Sequence, residues 1–331
     1  MGSVPVVAPD RLAAFTGDPD VPPVVGVDLS GPGRDVAVRH GDRVLVGIGP
    51  VHPDRAGLAR ALDLTLVDGA AARRFEIGVG DPESALAGLA DVAYRVPRAA
   101  TILAGLLRWS GDLPVEAALD AESFAYSTLL GGPEFARWLE SRGPRPAPPE
   151  APDPVLVVRD DGVLRVTLHR PERRNAYGRQ VRDALVDALD VAVSDPSVEH
   201  VVLDGAGPGF CSGGDLDEFG TTPDPVTAHL VRTRAGAARR LDVLAGRTTV
   251  HLHGACVGAG IELAAFAGHV VADPGTTVRL PEVGMGLIPG AGGTVSLPRR
   301  IGRWRALYLA LSGFAVDART ALGWGLVDEL A

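Results

Sequence analysis

An α/β fold is predicted for this chain from three observations. Short β-branched runs bounded by Gly, Pro and Asp alternate with segments of helical period. After residue 155, strand, glycine-rich loop and helix recur in that order, which is the pattern of an α/β architecture. Two glutamates, Glu262 and Glu282, stand in otherwise apolar, glycine-rich sequence, where a carboxyl group pairs, titrates or does chemistry. The 331 residues, 46% hydrophobic and 22% charged, are ordinary for a soluble globular protein and leave room for two modest domains or one large one.

Residues 1–23, rich in Pro and Asp, read as a poorly ordered lead. From Val24 the runs VVGVDL, DVAVRH, RVLVGIG, LDLTLVD and FEIGVG read as strands, with a helix at DRAGLARAL between them. From Pro82 to Arg142 the period is helical. Four helices are predicted there, ESALAGLADVAYRV, RAATILAGLLRWSG, PVEAALDAESFAYSTLLGG and PEFARWLESRG, each opened or ended by Gly or Pro. The proline-rich segment 143–154, GPRPAPPEAPDP, reads as an extended, semi-rigid linker and sets the boundary between an N-terminal unit, 24–142, and a second unit, 155–331.

The second unit opens on a hairpin, VLVVRDDGVLRVTLHRP, turning at Asp161-Gly162. An amphipathic helix over GRQVRDALVDALDVAVSD and a buried strand over VEHVVLDGAG follow. In GPGFCSGGDLDEFG, Asp215 is placed to cap a helix with Glu218 three residues on, so Gly214 would carry a free N–H at a helix start. The run Gly258-Ala259-Gly260 before IELAAFAGH is a second such start, and Gly214 and Ala259 together could supply a two-donor oxyanion hole. Pro281 disfavours helix just before Glu282, so Glu262 and Glu282 would approach one pocket from different elements.

Composition excludes several functions. A net charge of −9 is unlike a nucleic-acid-binding protein. The chain contains no lysine, which removes Schiff-base catalysis and the phosphate-loop lysine. Cys211 and Cys256 are too few for a disulfide framework or thiolate metal cluster and read as buried small residues. His251 and His253 have no third ligand spaced to complete a metal site, and His269 reads as a helix-terminal residue. The apolar stretch Val250–Ala272 is interrupted by histidines, glycines and Glu262 and is not a membrane span. The N-terminus MGSVPVVAPDR has no basic region ahead of an apolar core, so a cytoplasmic location is expected.

The order of four segments resembles the crotonase superfamily, the enoyl-CoA hydratase/isomerase family. They are RPERRNAYGRQ at 170–180, GPGFCSGGDLDEF at 207–219, HGACVGAGIELAAFAG at 253–268 and LPEVGMGLIPGAGG at 280–293. The resemblance covers residues 155–331 and implies a crotonase-like spiral of ββα units and assembly as trimers or pairs of trimers. It further implies that Glu262 activates water, Glu282 gives a proton to C2, and the N–H groups of Gly214 and Ala259 polarise a thioester carbonyl. Arg174, Asn175, Ala176 and the carbonyl of Ser212 would lie near the adenine end of coenzyme A. Ala259 departs from the commoner Gly at its position, and Gly268-His269 from the frequent Cys-Asp.

The resemblance implies an enoyl-CoA hydratase acting on an acyl-CoA thioester with no separate cofactor, no metal, no nucleic acid and no membrane. The alternatives are a double-bond isomerase, another crotonase acyl-CoA lyase or hydrolase, or a non-catalytic acyl-CoA-binding or assembly protein. Segment 97–142 resembles the family's C-terminal helices, while the chain ends at GWGLVDELA. Residues 24–142 are therefore expected to form a degenerate crotonase-like half whose helices dock on the catalytic half, in the same subunit or a neighbour, and close its site.

Overall fold

The computed structural model describes residues 4–15, 22–33 and 36–331. Its N-terminal part is a parallel five-stranded sheet in sequence order: β1 (Val6–Val7), β2 (Val24–Asp28), β3 (Val44–Ile48), β4 (Leu64–Asp68) and β5 (Glu76–Val79). The expected lead needs correction at its centre. Val6 and Val7 pair with Gly26 and Val27, and Val7 and Leu12 are buried, because apolar residues at an open sheet edge gain by covering it. Residues 1–3 and 16–21 of that lead lie outside the described residues, as does Asp35 of DVAVRH. Residues 36–40 form no strand; β3 already lies between β2 and β4, so the next available position is taken.

Short α1 (Ala56–Ala61) links β3 to β4, and four longer helices follow: α2 (Pro82–Arg95), α3 (Pro97–Trp109), α4 (Val115–Leu130) and α5 (Pro133–Arg142). Their ends follow the sequence signals. Asp81 caps α2 by accepting from the Glu83 and Ser84 N–H groups, Pro stands in the first turn of α2, α3 and α5, and Gly143 ends α5 at φ 67°. Glu134 of α5 caps α3 from outside, accepting from the N–H groups of Arg98 and Ala99 at 2.9 and 3.0 Å.

The second part winds through β6 (Val155–Asp160), β7 (Val163–Leu168), α6 (Arg179–Ser194), β8 (His200–Gly205), α7 (Pro225–Ala235), α8 (Ala238–Val243), β9 (Thr248–Leu252), β10 (Ala255–Val257) and α9 (Ala259–Ala264). It continues with β11 (His269–Ala272), β12 (Thr277–Arg279), α10 (Gly293–Ile301), α11 (Arg303–Ser312), β13 (Val316–Asp317), α12 (Ala318–Trp324) and β14 (Glu329–Leu330). Six strands form one sheet in the order β14-β11-β9-β8-β7-β6, parallel except for the β6–β7 hairpin. A second, small sheet orders β10-β12-β13. Two turns, β9-β10-α9 and β11-β12-α10, each add one strand to each sheet and then a helix, which is the ββα unit. Among the described residues no helix is long and apolar enough to cross a membrane.

The two parts share one apolar core. A continuous cluster runs from Val24, Val44 and Leu66 through Leu103, Leu107 and Leu129 to Val283, Leu297 and Leu307. Polar ties cross the same boundary. Arg303 donates to the Leu62 carbonyl at 2.9 Å and Trp304 Nε1 to the Arg60 carbonyl at 3.1 Å. Asp63, 1% exposed, receives Arg108 through both Nε and Nη2 at 2.8 Å, with Arg303 at 3.8 Å. Burial disfavours the Asp63 charge, but Arg108 and His40 outweigh it and hold its carboxyl below the usual range.

A chain beginning at Ala151 would therefore expose the apolar faces that α3 and α4 cover. We expect it to bind a hydrophobic dye and to lose the cooperative melting of the full chain. A sharp calorimetric transition at the full-length temperature would refute this.

Candidate active site

The site is assembled by backbone rungs between successive turns of the spiral. The Ser212 N–H donates to the Arg174 carbonyl at 3.0 Å and the Tyr177 N–H to the Gly213 carbonyl at 2.7 Å. Val257 then donates to Cys211 at 2.9 Å, and Gly258 to Arg279 at 2.9 Å. These four bonds bring the segments around 175, 213, 258 and 280 side by side. Ala259 opens α9, so its N–H has no intrahelical acceptor, and neither it nor the Gly214 N–H bonds a loop carbonyl among the described residues. Both residues line one cavity of 240 Å³ together with Glu262 and Glu282.

Glu262 projects from α9 and is 2% exposed. Its Oε2 accepts from the N–H groups of Ala291 at 2.7 Å and Gly293 at 2.9 Å, leaving Oε1 for a ligand. Glu282, 9% exposed, lies just past β12, and its buried Oε2 has no hydrogen-bond partner. An orphaned buried carboxyl oxygen is rare in proteins and marks the group as a candidate for chemistry. Gly258 makes room for the other oxygen: at φ 50°, a Cβ there would sit 2.3 Å from Glu282 Oε1.

A third carboxyl shares the cavity. Glu122 of α4, 2% exposed, reaches across from the N-terminal part. Its Oε1 accepts from the Gly292 N–H at 2.8 Å, and its Oε2 from the N–H and hydroxyl of Thr294, each at 2.8 Å. Beside it Tyr126 lines the cavity, and the Arg232 guanidinium of α7 stacks 4.2 Å from its ring centre while donating to the Ser123 hydroxyl at 2.9 Å. None of these three was selected from the sequence. The signal was present: Leu119, Glu122 and Tyr126 fall at helical spacing on one face of α4, and an acid on an otherwise apolar face is unusual.

Burial dominates the electrostatics. It raises Glu122 from its ordinary 4.5 to about 7, against the bonds from Thr294 and Gly292 and the charge of Arg232. It raises Glu282 to about 7 as well, with Glu122 adding to the effect and Arg279 opposing it. Glu262 is pushed well above the usual carboxylate range by burial, then by the charges of Glu282 and Glu122, while its two N–H bonds pull the other way. Near neutral pH such a cluster holds both charge and protons, which suits general acid–base work.

A second cavity, 450 Å³, meets the first at Gly214 and is lined by Arg142, Arg173, Arg174, Ala176, Ser212, Asp215 and Asp217 among others. Three of the expected coenzyme-binding residues, Arg174, Ala176 and Ser212, open onto it. Asn175 does not. It is 0% exposed; its Nδ2 donates to the carbonyls of Ala206, Gly209 and Phe210, and its Oδ1 accepts from the Arg170 N–H. Asn175 therefore holds the loop from within, and with Arg174 it adopts a left-handed backbone, both at φ 53°.

Other expectations change in detail. Asp215 caps only a three-residue 3₁₀ turn, Leu216–Glu218, and Glu218 accepts from the Arg179 N–H instead of closing a capping box. Arg173 takes the Asp215 carboxylate in a two-bond fork at 2.7 and 3.0 Å, which fixes the loop carrying Gly214. His269 opens β11 at the surface, 3.3 Å from Glu329, and ends no helix. Cys211 and Cys256 are free and buried, and burial raises both thiols, so neither is a nucleophile at neutral pH. Among the described residues no group of three His, Cys, Asp or Glu is placed to hold a metal ion.

The raised carboxyls carry a sign for stability. Between pH about 4.5 and about 7 the folded chain keeps protons on Glu122 and Glu282 that the unfolded chain releases. Their contribution is fully present below 4.5 and is lost as pH rises through 7. Glu282→Gln should therefore gain roughly 1–3 kcal/mol over wild type at pH 8 relative to pH 5, from the cost per pKa unit. Thermal melts at the two pH values check this; an equal offset at both would contradict the burial account.

Similarity to known proteins follows the site. Residues 159–331 match the family model described as enoyl-CoA hydratase/isomerase. The chain is 35% identical to the 2,3-dehydroadipyl-CoA hydratase of Escherichia coli (strain K12), over 53% of this chain and 68% of that one. It is also 35% identical to the 1,2-epoxyphenylacetyl-CoA isomerase of the same strain, over 53% and 69%. Among solved structures it is similar to an enoyl-CoA hydratase from Thermoplasma volcanium GSS1, with TM-score 0.50 and 32% identity over 54% of this chain and 71% of that one. The family match at residues 159–331 takes in Glu262, Glu282, Gly214 and Ala259, and by it and these relatives the chain belongs to the enoyl-CoA hydratase/isomerase family.

Proposed function

We propose that the protein is an enoyl-CoA hydratase that adds water across the C2=C3 bond of a trans-2-enoyl-CoA. The observation that carries this reading is the convergence on one cavity of two buried carboxyls, Glu262 and Glu282, with the free N–H groups of Gly214 and Ala259. The thioester carbonyl accepts from the two N–H groups, which draws electron density away from C3. Glu262 in its deprotonated form, supported at Oε2 by two N–H bonds that oppose the upward push of burial, takes a proton from water as the oxygen attacks C3. The C2=C3 electrons move onto the thioester oxygen, giving an enolate held by the two donors. Glu282, with an unpartnered oxygen, suits the protonated form and gives its proton to C2. Passage of the Glu262 proton to Glu282 or solvent resets the pair.

The coenzyme arm occupies the second cavity, past Arg174, Ala176 and Ser212, and the acyl group the first, beneath α4. Helix α4 and Arg142 of α5, which also donates to the Leu216 carbonyl at 2.9 Å, act as the cover over both. A second reading, a double-bond isomerase, is favoured by the similarity, at 32% identity, to a relative named enoyl-CoA isomerase/hydratase, since the same carboxyls can move a proton along one enolate.

Loss of the conjugated enoyl-thioester absorbance on mixing the protein with short, medium and aromatic trans-2-enoyl-CoAs tests the reading. Turnover is expected. Conversion of 3-enoyl-CoAs alone would select the isomerase, and tight coenzyme A binding without turnover across the panel would leave a binding protein. In the hydratase, Glu262→Gln and Glu282→Gln should each lower kcat by about 10²-fold or more with little change in acyl-CoA affinity. Wild-type rates in either variant would overturn the assignment of that residue.

A further inference from the structure

Glu122 is a charged group brought from outside the spiral into its centre. Four consecutive N–H groups, on Ala291, Gly292, Gly293 and Thr294, point alternately to opposite sides of the chain, and each side is met by a different carboxylate. Ala291 and Gly293 donate to Glu262, at 2.7 and 2.9 Å. Gly292 and Thr294 donate to Glu122, both at 2.8 Å. The turn is thus clamped between the two carboxylates, and its small residues allow the approach. A Cβ at Gly293 would lie 2.6 Å from Glu262 Cγ. Rotation of the turn in either direction would break two charge-assisted bonds on one side.

We infer that Glu122 is a positioning residue: by holding the Gly292 and Thr294 N–H groups it fixes the turn that aims the carboxylate of Glu262 into the cavity, so that the site is complete only when α4 is seated. Its kinetic consequence rests on the hydratase reading, but the geometry does not. The groups around it are Glu262 on α9, Glu282 beyond β12, Arg232 on α7, Tyr126 on α4 itself and Thr294 on α10. Arg232 favours the charged form of Glu122, and that charge in turn raises both Glu262 and Glu282. Glu122 therefore also adds to the rise that burial gives the other two.

The test is Glu122→Gln in the full chain, read in two ways. Carbon-13 labelling of glutamate side chains follows carboxyl titration without any substrate, with Glu262→Gln and Glu282→Gln spectra assigning the signals. Loss of the Glu122 charge should move the Glu262 and Glu282 midpoints down. With an active enoyl-CoA, kcat should fall on the order of 10–10²-fold at unchanged KM, and the acid limb of the kcat profile should shift down with the midpoints. Unmoved titrations, or an earlier melt with wild-type kcat in the folded protein, would overturn the inference and leave Glu122 a merely structural cap. If wild type turns over no enoyl-CoA, the hydratase reading fails and the titration alone decides this one. Should the Gln variant not fold, Glu122→Asp keeps the charge but is one methylene short of its two N–H groups. It should lose kcat with little change in the titrations, and wild-type kcat there would equally refute the positioning role.

Discussion

The centre of the molecule depends on how the backbone of residues 291–294 is satisfied. A turn made of Ala291, Gly292, Gly293 and Thr294 offers its N–H groups to both sides at once and has few side-chain atoms to fill the space. In a buried setting each unmet donor would cost on the order of 1–3 kcal/mol. Carboxylates from α9 and α4 meet them in alternation, which stabilises the turn and places two acids against the cavity wall. The same bonds partly offset the cost of burying those charges, and the remainder appears as carboxyls that titrate near neutrality. The stability of the turn and the titration of these carboxyls thus draw on one set of contacts.

This constraint ties the two halves of the chain together. α4 cannot leave without exposing the Gly292 and Thr294 donors, and it is itself held by α7, where Arg232 and His229 both reach Ser123, at 2.9 Å each. Further out, α11 covers the N-terminal sheet, and Arg303 and Arg108 meet on the buried Asp63. The linker over 143–154 is also pinned: the Pro149 carbonyl accepts from Arg170 and Gln180, and the Ala151 N–H donates to Gln180. Spacer composition led to the expectation of two units. The observed core is continuous across them, since the apolar faces of α3 and α4 find their partners in the spiral.

The family match begins at residue 159, just past the linker, and the relatives and solved structures cover about half of this chain. The third carboxyl and the cation stacked beside Tyr126 come from the two sides of that boundary, Glu122 before it and Arg232 after it. The cavity wall is accordingly built by α4 and α7 as well as by the loops of the spiral.

The sequence by itself determined the local chemistry. Glycines before Ile261 and after Pro289, the hairpin at Asp161-Gly162, the caps and prolines of α2 to α5, and the two isolated glutamates are short-range signals, because turn geometry and helix ends are fixed by a few neighbouring residues. From them came the elements, the pair Glu262 and Glu282, and the donors Gly214 and Ala259. Only the tertiary structure decided what lies across the chain. That Glu122 meets Gly292 over 170 positions, that Asn175 turns inward, that Val6 and Val7 join a sheet while 36–40 do not, all depend on which surfaces are left to be covered once the spiral has closed. Burial is a property of the assembled packing, and the pKa shifts that make these carboxyls useful follow from burial.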